Sequence, residues 1–356
     1  MRSLAIVALA LVSSLAQAQE RGSEQRLSSY ELRNPSASTL QALSYFIGIE
    51  NRKGTTYEIV VSEEQEPLLL SLAPQAKLLE ADAARAGQAL LQKFKSRLTS
   101  ENYHSIEEVQ AWMQNIAKER AELARVVTYG ESADSRPLMA LNLTGRAGTK
   151  PVVMITAATH GDELITTEVL MRLVDKLVAG YGRNERLTRM LDQHDLYFVP
   201  VVNPDGFART RRYDGFKDPN RSYPYPGHGE MVPTPSIAGL IRLFEMIKPV
   251  GTLDYHAYGE LTMYPWAYTY DKIAEPYAAK FDALAAAMSA ENRYTYGPIA
   301  STIYVAPASS ADYYFWKTNA TSFAIEMGHD KIPDPSEFPS YVQATEESLW
   351  KFIESF

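Results

Sequence analysis

Apolar residues follow two rhythms in the longer part of this chain. Val152–Ala158 and Leu196–Val202 are near-continuous apolar runs, the pattern of strands buried on both faces. Val250–Tyr255 and Ser322–Met327 read as further strands. Thr166, Val169, Leu170, Leu173, Val174, Leu177 and Val178 recur at three- and four-residue spacing. That spacing predicts an amphipathic helix over Glu163–Val178. Ile273–Glu291 and Ala344–Phe356 also read as helices. Ser105 with Glu108 forms a capping box opening a helix that runs to about Leu123. Strands alternating with helices predict an α/β sheet with helices on both faces, whose ligand site lies beyond the carboxyl ends of strands.

The first hundred residues are patterned differently. Thr56–Val61 is β-branched and aromatic, and Ala76–Glu80 reads as another strand. Ser62 and Gln65 signal a short capped helix between them. Residues 19–40 are polar and read as a mobile lead-in, and Ala83–Leu98 as an exposed helix or linker. Ahead of these, Met1-Arg2 precedes nine unbroken apolar residues, Leu4–Val12, and then Ala16-Gln17-Ala18. That order predicts a secretory signal peptide cleaved after Ala18. The run is too short for a membrane span, which needs about 20 apolar residues. The expected organisation is a signal over 1–18, a small domain and linker over 19–100, and a larger domain over 101–356.

Composition narrows the chemistry. Of 356 residues, 46% are hydrophobic and 22% charged, an ordinary globular balance. There is no cysteine, so any metal must be held by His, Asp or Glu. In an exported chain that absence fits a bacterial periplasmic or secreted protein. The net charge of −8, or 34 − 43 = −9 once Arg2 is removed with the signal, argues against a general nucleic-acid binder.

Only six histidines are present. His160 follows the run Val152–Ala158, with Glu163 three residues on, and His256 follows the run ending at Tyr255. Two imidazoles and a carboxylate make a zinc site with one position open. A lone His-x-x-Glu is a weak signal: His104-Ser-Ile-Glu107 repeats it at a helix start, where a surface pair is the better reading. More specific is a series in order: His160-Gly-Asp-Glu163, Asn203-Pro-Asp-Gly206, Asp218-Pro-Asn220-Arg221, Asp254-Tyr-His256, Thr302-Ile-Tyr304 and Ala324-Ile-Glu326. From about residue 101 onward this series resembles the zinc metallocarboxypeptidases of the carboxypeptidase A family. Tyr103–Glu108 and Ser135–Leu138 resemble the segments that open its catalytic domain. Residues 55–95 more loosely resemble its strand–helix–strand pro-region.

The resemblance implies a mixed, mostly parallel twisted sheet with helices on both faces, preceded by a small α+β domain. It implies one zinc per chain, held by His160, Glu163 and His256, with Asp218 accepting a hydrogen bond from the far nitrogen of His160. Glu326 would be the general base toward a zinc-activated water. Asn220 and Arg221 would grip the substrate's terminal carboxylate, and Tyr304 would close over it. Spacing back from Asn220-Arg221 points to Arg211 as the oxyanion arginine, with Arg212 adjacent.

Substrate preference is less legible. Ala311 falls at the family's pocket for the C-terminal side chain and carries no charge. Asp254 shares a strand face with His256; it reads either as a contact for an amino-bearing side chain or as a structural partner near the metal. Asp162 stands where many digestive members have arginine, leaving room for cell-wall peptides. Lys93–Arg97 reads either as an activation cleavage site or as a solvated helix face.

The leading function is therefore a monomeric carboxypeptidase acting on peptides with a free C-terminal carboxylate, with no nucleic acid and no membrane span. A cell-wall peptide carboxypeptidase or amidase, a zinc deacylase on the same scaffold, and an inactive peptide-binding protein are the alternatives. Mass spectrometry of the exported protein is expected to find Gln19 at its amino terminus; an intact Met1–Ala18 segment would remove the signal reading.

Overall fold

The computed structural model describes residues 27–46, 49–53, 55–63, 65–80, 103–215 and 217–356. The signal segment, Ala83–Leu98 and Lys93–Arg97 lie outside them. The chain divides into two compact units, one of residues 1–102 with Ile303–Ala306, the other of Tyr103–Thr302 with Pro307–Phe356.

In the smaller unit, β1 (Leu27–Arg33), β2 (Ile49–Lys53), β3 (Thr56–Ser62) and β4 (Lys77–Glu80) form an antiparallel sheet in the order β2-β3-β1-β4. Helices α1 (Ala37–Phe46) and α2 (Glu66–Leu72) accompany it. Two expectations are corrected here. The supposed lead-in contains β1, which is polar in sequence yet pairs on both edges, burying Tyr30 and Leu32. Ser62 ends β3 instead of capping a helix, and α2 starts after Gln65 with no side-chain cap.

The larger unit is built on a mixed sheet of eight strands among the described residues. They are β5 (Ala124–Glu131), β6 (Pro137–Leu143), β7 (Val152–Thr156), β8 (Asp195–Val199), β9 (Gly251–His256), β10 (Leu261–Tyr264), β11 (Thr295–Pro298) and β12 (Thr321–Glu326). The order is β11-β10-β12-β9-β7-β8-β6-β5. The four central strands, β12, β9, β7 and β8, run parallel, and these are the four that the apolar runs predict. The β5–β6 hairpin and β10 join antiparallel. These three were not predicted; β5 is partly exposed along its length, while β6 and β10 are buried but for their first residues.

Helix α3 (Ile106–Glu119) opens with the expected capping box: Ser105 Oγ accepts Glu108 N–H and Glu108 accepts Ser105 N–H. The amphipathic pattern becomes α4 (Leu164–Gly180), followed by α5 (Glu185–Gln193), α6 (Pro204–Ala208) and α7 (Pro235–Ile247). After them come α8 (Tyr277–Met288), α9 (Ile299–Thr302), α10 (Ser310–Thr318) and α11 (Phe338–Ile353). Ile237, Leu240, Leu243 and Phe244 of α7 and Tyr313 and Tyr314 of α10 pack on Met154, Tyr197 and Val199 of the sheet. Helix α11 packs on α4 and α8 in another layer. No helix among the described residues is long and apolar enough to cross a membrane.

Register places the chemistry. Asp254 pairs with Thr156 across β7–β9, and His256 with Glu326 across β9–β12. All four lie at the carboxyl ends of parallel strands, where an α/β sheet opens its ligand crevice. The capping box gives a direct test of the local reading: Ser105→Ala is expected to lower unfolding free energy by about 1 kcal/mol, measured by denaturant titration.

Candidate active site

After β7 the backbone turns through Ala158, at a positive φ of 47°, toward His160. A Cβ on Gly161 would lie 2.2 Å from the Gly206 carbonyl carbon and 2.6 Å from the Arg211 oxygen. Glycine is therefore what lets the Asn203–Gly206 turn stack on this loop. Asn203 accepts Gly206 N–H on its side chain and donates its own N–H to Ala158 O. Asp205 of the same turn accepts from Ser132, the Asp134 N–H and Arg136. Motifs far apart in sequence thus brace one another around His160.

His160, Glu163 and His256 are all buried, and their ligand atoms lie within 4.8 Å of one another. His160 Nδ1 is 2.9 Å from Glu163 Oε1, His256 Nδ1 is 3.2 Å from Oε2, and the two Nδ1 atoms are 3.2 Å apart. The far nitrogens face carboxylates: His160 Nε2 meets Asp218 Oδ1 at 3.0 Å, and His256 Nε2 meets Asp254 Oδ2 at 3.0 Å. A carboxylate only accepts, so each Nε2 carries a hydrogen toward its acid, and each Nδ1 is the nitrogen turned to the shared centre. Two Nδ1 atoms and a carboxylate converge on one point that favours positive charge, as protons on the rings or as a metal ion between them. The donor set of two imidazoles and one carboxylate suits zinc, and the outer carboxylates fix both rings.

Electrostatics agree with that design. Burial works to raise the Glu163 carboxyl, but His160 and His256 outweigh it and hold it well below the usual range. Burial likewise opposes Asp218, which Arg212 and His160 keep well below. Glu326, at the end of β12, differs. Burial pushes its carboxyl up to about 7; His256 opposes that shift and Glu163 adds to it.

The guanidinium that reaches this centre is that of Arg212. It donates to Asp218 Oδ2 at 3.1 and 2.9 Å, and its Nη1 lies 3.3 Å from His160 Nδ1 and 3.5 Å from Glu163 Oε1. Spacing points to Arg211, and it is the adjacent Arg212 that has these contacts with Asp218, His160 and Glu163.

Asn220 is brought beside the ligands, with Nδ2 3.2 Å from His256 Nε2 and Oδ1 accepting Ser310 N–H. The adjacent Arg221 donates to Asn220 O. Ala311 is buried in the first turn of α10. Tyr304 is a buried residue of Ile303–Ala306, the segment grouped with the smaller unit.

Two other acids turn inward. Asp254 accepts from Thr156 and Thr159 on one oxygen, and from Ser310 and His256 on the other. Four donors fill its lone pairs, which leaves none for a substrate amine and favours the structural-partner reading. Asp162 is paired with Lys331 at 2.6 Å, so it extends no carboxylate toward substrate. His104 pairs with Glu168 rather than Glu107, and among the described residues the group that could hold a metal is His160, Glu163 and His256.

A family model described as zinc carboxypeptidase matches residues 109–230 and 224–348. The chain belongs to that family. Rat carboxypeptidase A2 is 27% identical over 338 residues, covering 83% of this chain and 76% of the relative. Human carboxypeptidase B is 30% identical over 268 residues, covering 64% and 63%. Among solved structures, the carboxypeptidase A of Helicoverpa armigera superposes with a TM-score of 0.77 at 18% identity, over 93% of this chain and 97% of that one. A thrombin-activatable fibrinolysis inhibitor superposes at 0.70 and 17% identity, over 93% and 98%. The protein is thus a metallocarboxypeptidase, a hydrolase of peptide bonds, with the mixed α/β fold of that group.

Sequence reasoning left three parts of this carboxypeptidase centre unseen. Thr156 and Thr159 stood in plain sight beside the strand end, but nothing marked them as donors to Asp254. Ser310 lies 56 residues from Asp254, and Lys331 lies 169 from Asp162, without a local signal. One consequence concerns Glu326. A raised carboxyl keeps its proton below about 7, and a nearby cation favours the charged form. Infrared difference spectra of the zinc-free protein are expected to show Glu326 titrating near 7, and zinc loading to move it downward. A titration unmoved by zinc would separate Glu326 from the metal.

Proposed function

We propose that this protein is an exported zinc carboxypeptidase that removes the C-terminal residue of a peptide, with His160, Glu163 and His256 as ligands and Glu326 as base. The observation that carries the reading is the convergence of two Nδ1 atoms and one carboxylate, with each far nitrogen held by an acid. Zinc, when bound there, supplies a Lewis acid that lowers the pKa of a water to about 7. Glu326 takes a proton on its carboxylate and returns it to the leaving amine, a task suited to a group near neutrality. Arg212 donates to the oxygen on which negative charge develops.

Asn220 and Arg221 receive the terminal carboxylate, for which a guanidinium offers a planar, bidentate match. This clamp favours a carboxypeptidase over a deacylase, which has no terminal carboxylate to hold. The part of Tyr304 rests on the motif resemblance. Neutral Ala311 and the inward-turned Asp254 support no charged preference at the C-terminal side chain.

Release of the last residue from an acyl-blocked peptide, measured by liquid chromatography, tests the assignment. Chelation and Glu326→Gln are each expected to abolish it. Arg212→Ala should cost about 10²–10³ in kcat, and Arg211→Ala far less. Amidating the peptide's C-terminus should stop cleavage. Equal turnover of amidated and free peptides would sink the proposal, and the reverse ranking of the arginines would overturn the choice of Arg212.

A further inference from the structure

Glu163 stands in an awkward place for a helix. It is the residue that precedes α4, where a side chain normally accepts a first-turn N–H, and it makes no such cap because its carboxylate turns to the two histidines. The first turn is held from elsewhere. Ile165 donates its N–H to Lys331 O at 3.1 Å. The same lysine sends Nζ to Asp162 Oδ2 at 2.6 Å, and both side chains are buried, 5% and 1% exposed. Lys331 therefore grips the chain on either side of Glu163.

Lys331 also belongs to the segment that leaves β12 at Glu326. Met327 donates to His256 O, and Gly259 N–H donates to Gly328 O. Within five residues of the base, the chain thus bonds first to the strand end of one ligand and then to the helix start of another. A buried ion pair is weak grounds for stability, since desolvation offsets attraction. Its usefulness here is geometric.

We infer that the Asp162–Lys331 ion pair is a positioning device, which holds the Glu163 carboxylate in register with His160, His256 and Glu326 so that the metal is retained. The inference rests on the zinc reading of the three ligands. Neither side chain touches substrate.

The test compares the wild-type chain with Asp162→Asn, Lys331→Met and the double variant D162L/K331M, in which an apolar pair replaces the charged one and spares the fold an unpaired buried charge. Zinc loss to a chelator and the thermal midpoint of the zinc-free protein are measured on each. Folded variants are expected to hold zinc about 10–100-fold more weakly, the usual effect of losing a partner behind the ligands. The double variant should do so at a zinc-free midpoint close to wild type. Wild-type zinc retention in the double variant, or a lowered midpoint with unchanged retention in the single ones, would reduce the pair to a structural role and overturn the inference. A wild-type chain that holds no zinc would overturn the zinc reading and the inference together.

Discussion

The electrostatics of one point organise this carboxypeptidase. Two imidazole nitrogens and a carboxylate meet within hydrogen-bond distance, an arrangement that positive charge stabilises. Much of the surrounding structure keeps those groups facing inward. Asp218 and Asp254 orient the rings, Arg212 and the threonines satisfy those acids, and Gly161 lets the supporting turn approach. A buried carboxylate without such partners would be costly, so the network behind the ligands is a condition for having them there at all.

The sheet explains why residues so far apart can share this point. Parallel pairing of β7, β9 and β12 brings three strand ends to one edge. His160 and Glu163 follow the first, His256 closes the second and Glu326 the third. Loops after parallel strands are exposed on one side and anchored on the other, so they hold polar groups rigidly while leaving access for substrate. The residues proposed to bind substrate lie on the turn at Asp218–Arg221 and the start of α10, linked by the Asn220–Ser310 hydrogen bond.

Much of this was legible before any coordinates. Continuous apolar runs marked the central parallel strands, because a strand covered on both faces has no polar side to show. The helix over α4 and the cap at Ser105 followed from periodicity and a side-chain oxygen at the right offset. The ligand triad came from short motifs in order. What stayed hidden has a common cause. Strand β1 is polar and becomes a strand only by pairing on both edges, and Ser62 has the look of a cap but is claimed by β3. Spacing points to Arg211 and gives no sign of the contacts that Arg212 makes with Asp218 and His160.

By itself, then, the chain's order of residues determined the class of fold, the exclusion of thiol chemistry, and the identity of the histidines and acids able to hold a metal. The first two depend on composition and periodicity, which act over a few residues; the third came from motifs in order along the chain and the family resemblance they carry. Tertiary structure alone decided which arginine reaches the ligands, why Asp254 and Asp162 are closed to substrate, and that Lys331 braces the helix start beneath Glu163. Each of those is a contact between side chains scores of residues apart, or a matter of which way a side chain points. Direction in space is settled by packing and hydrogen bonding across the sheet, not by distance along the chain.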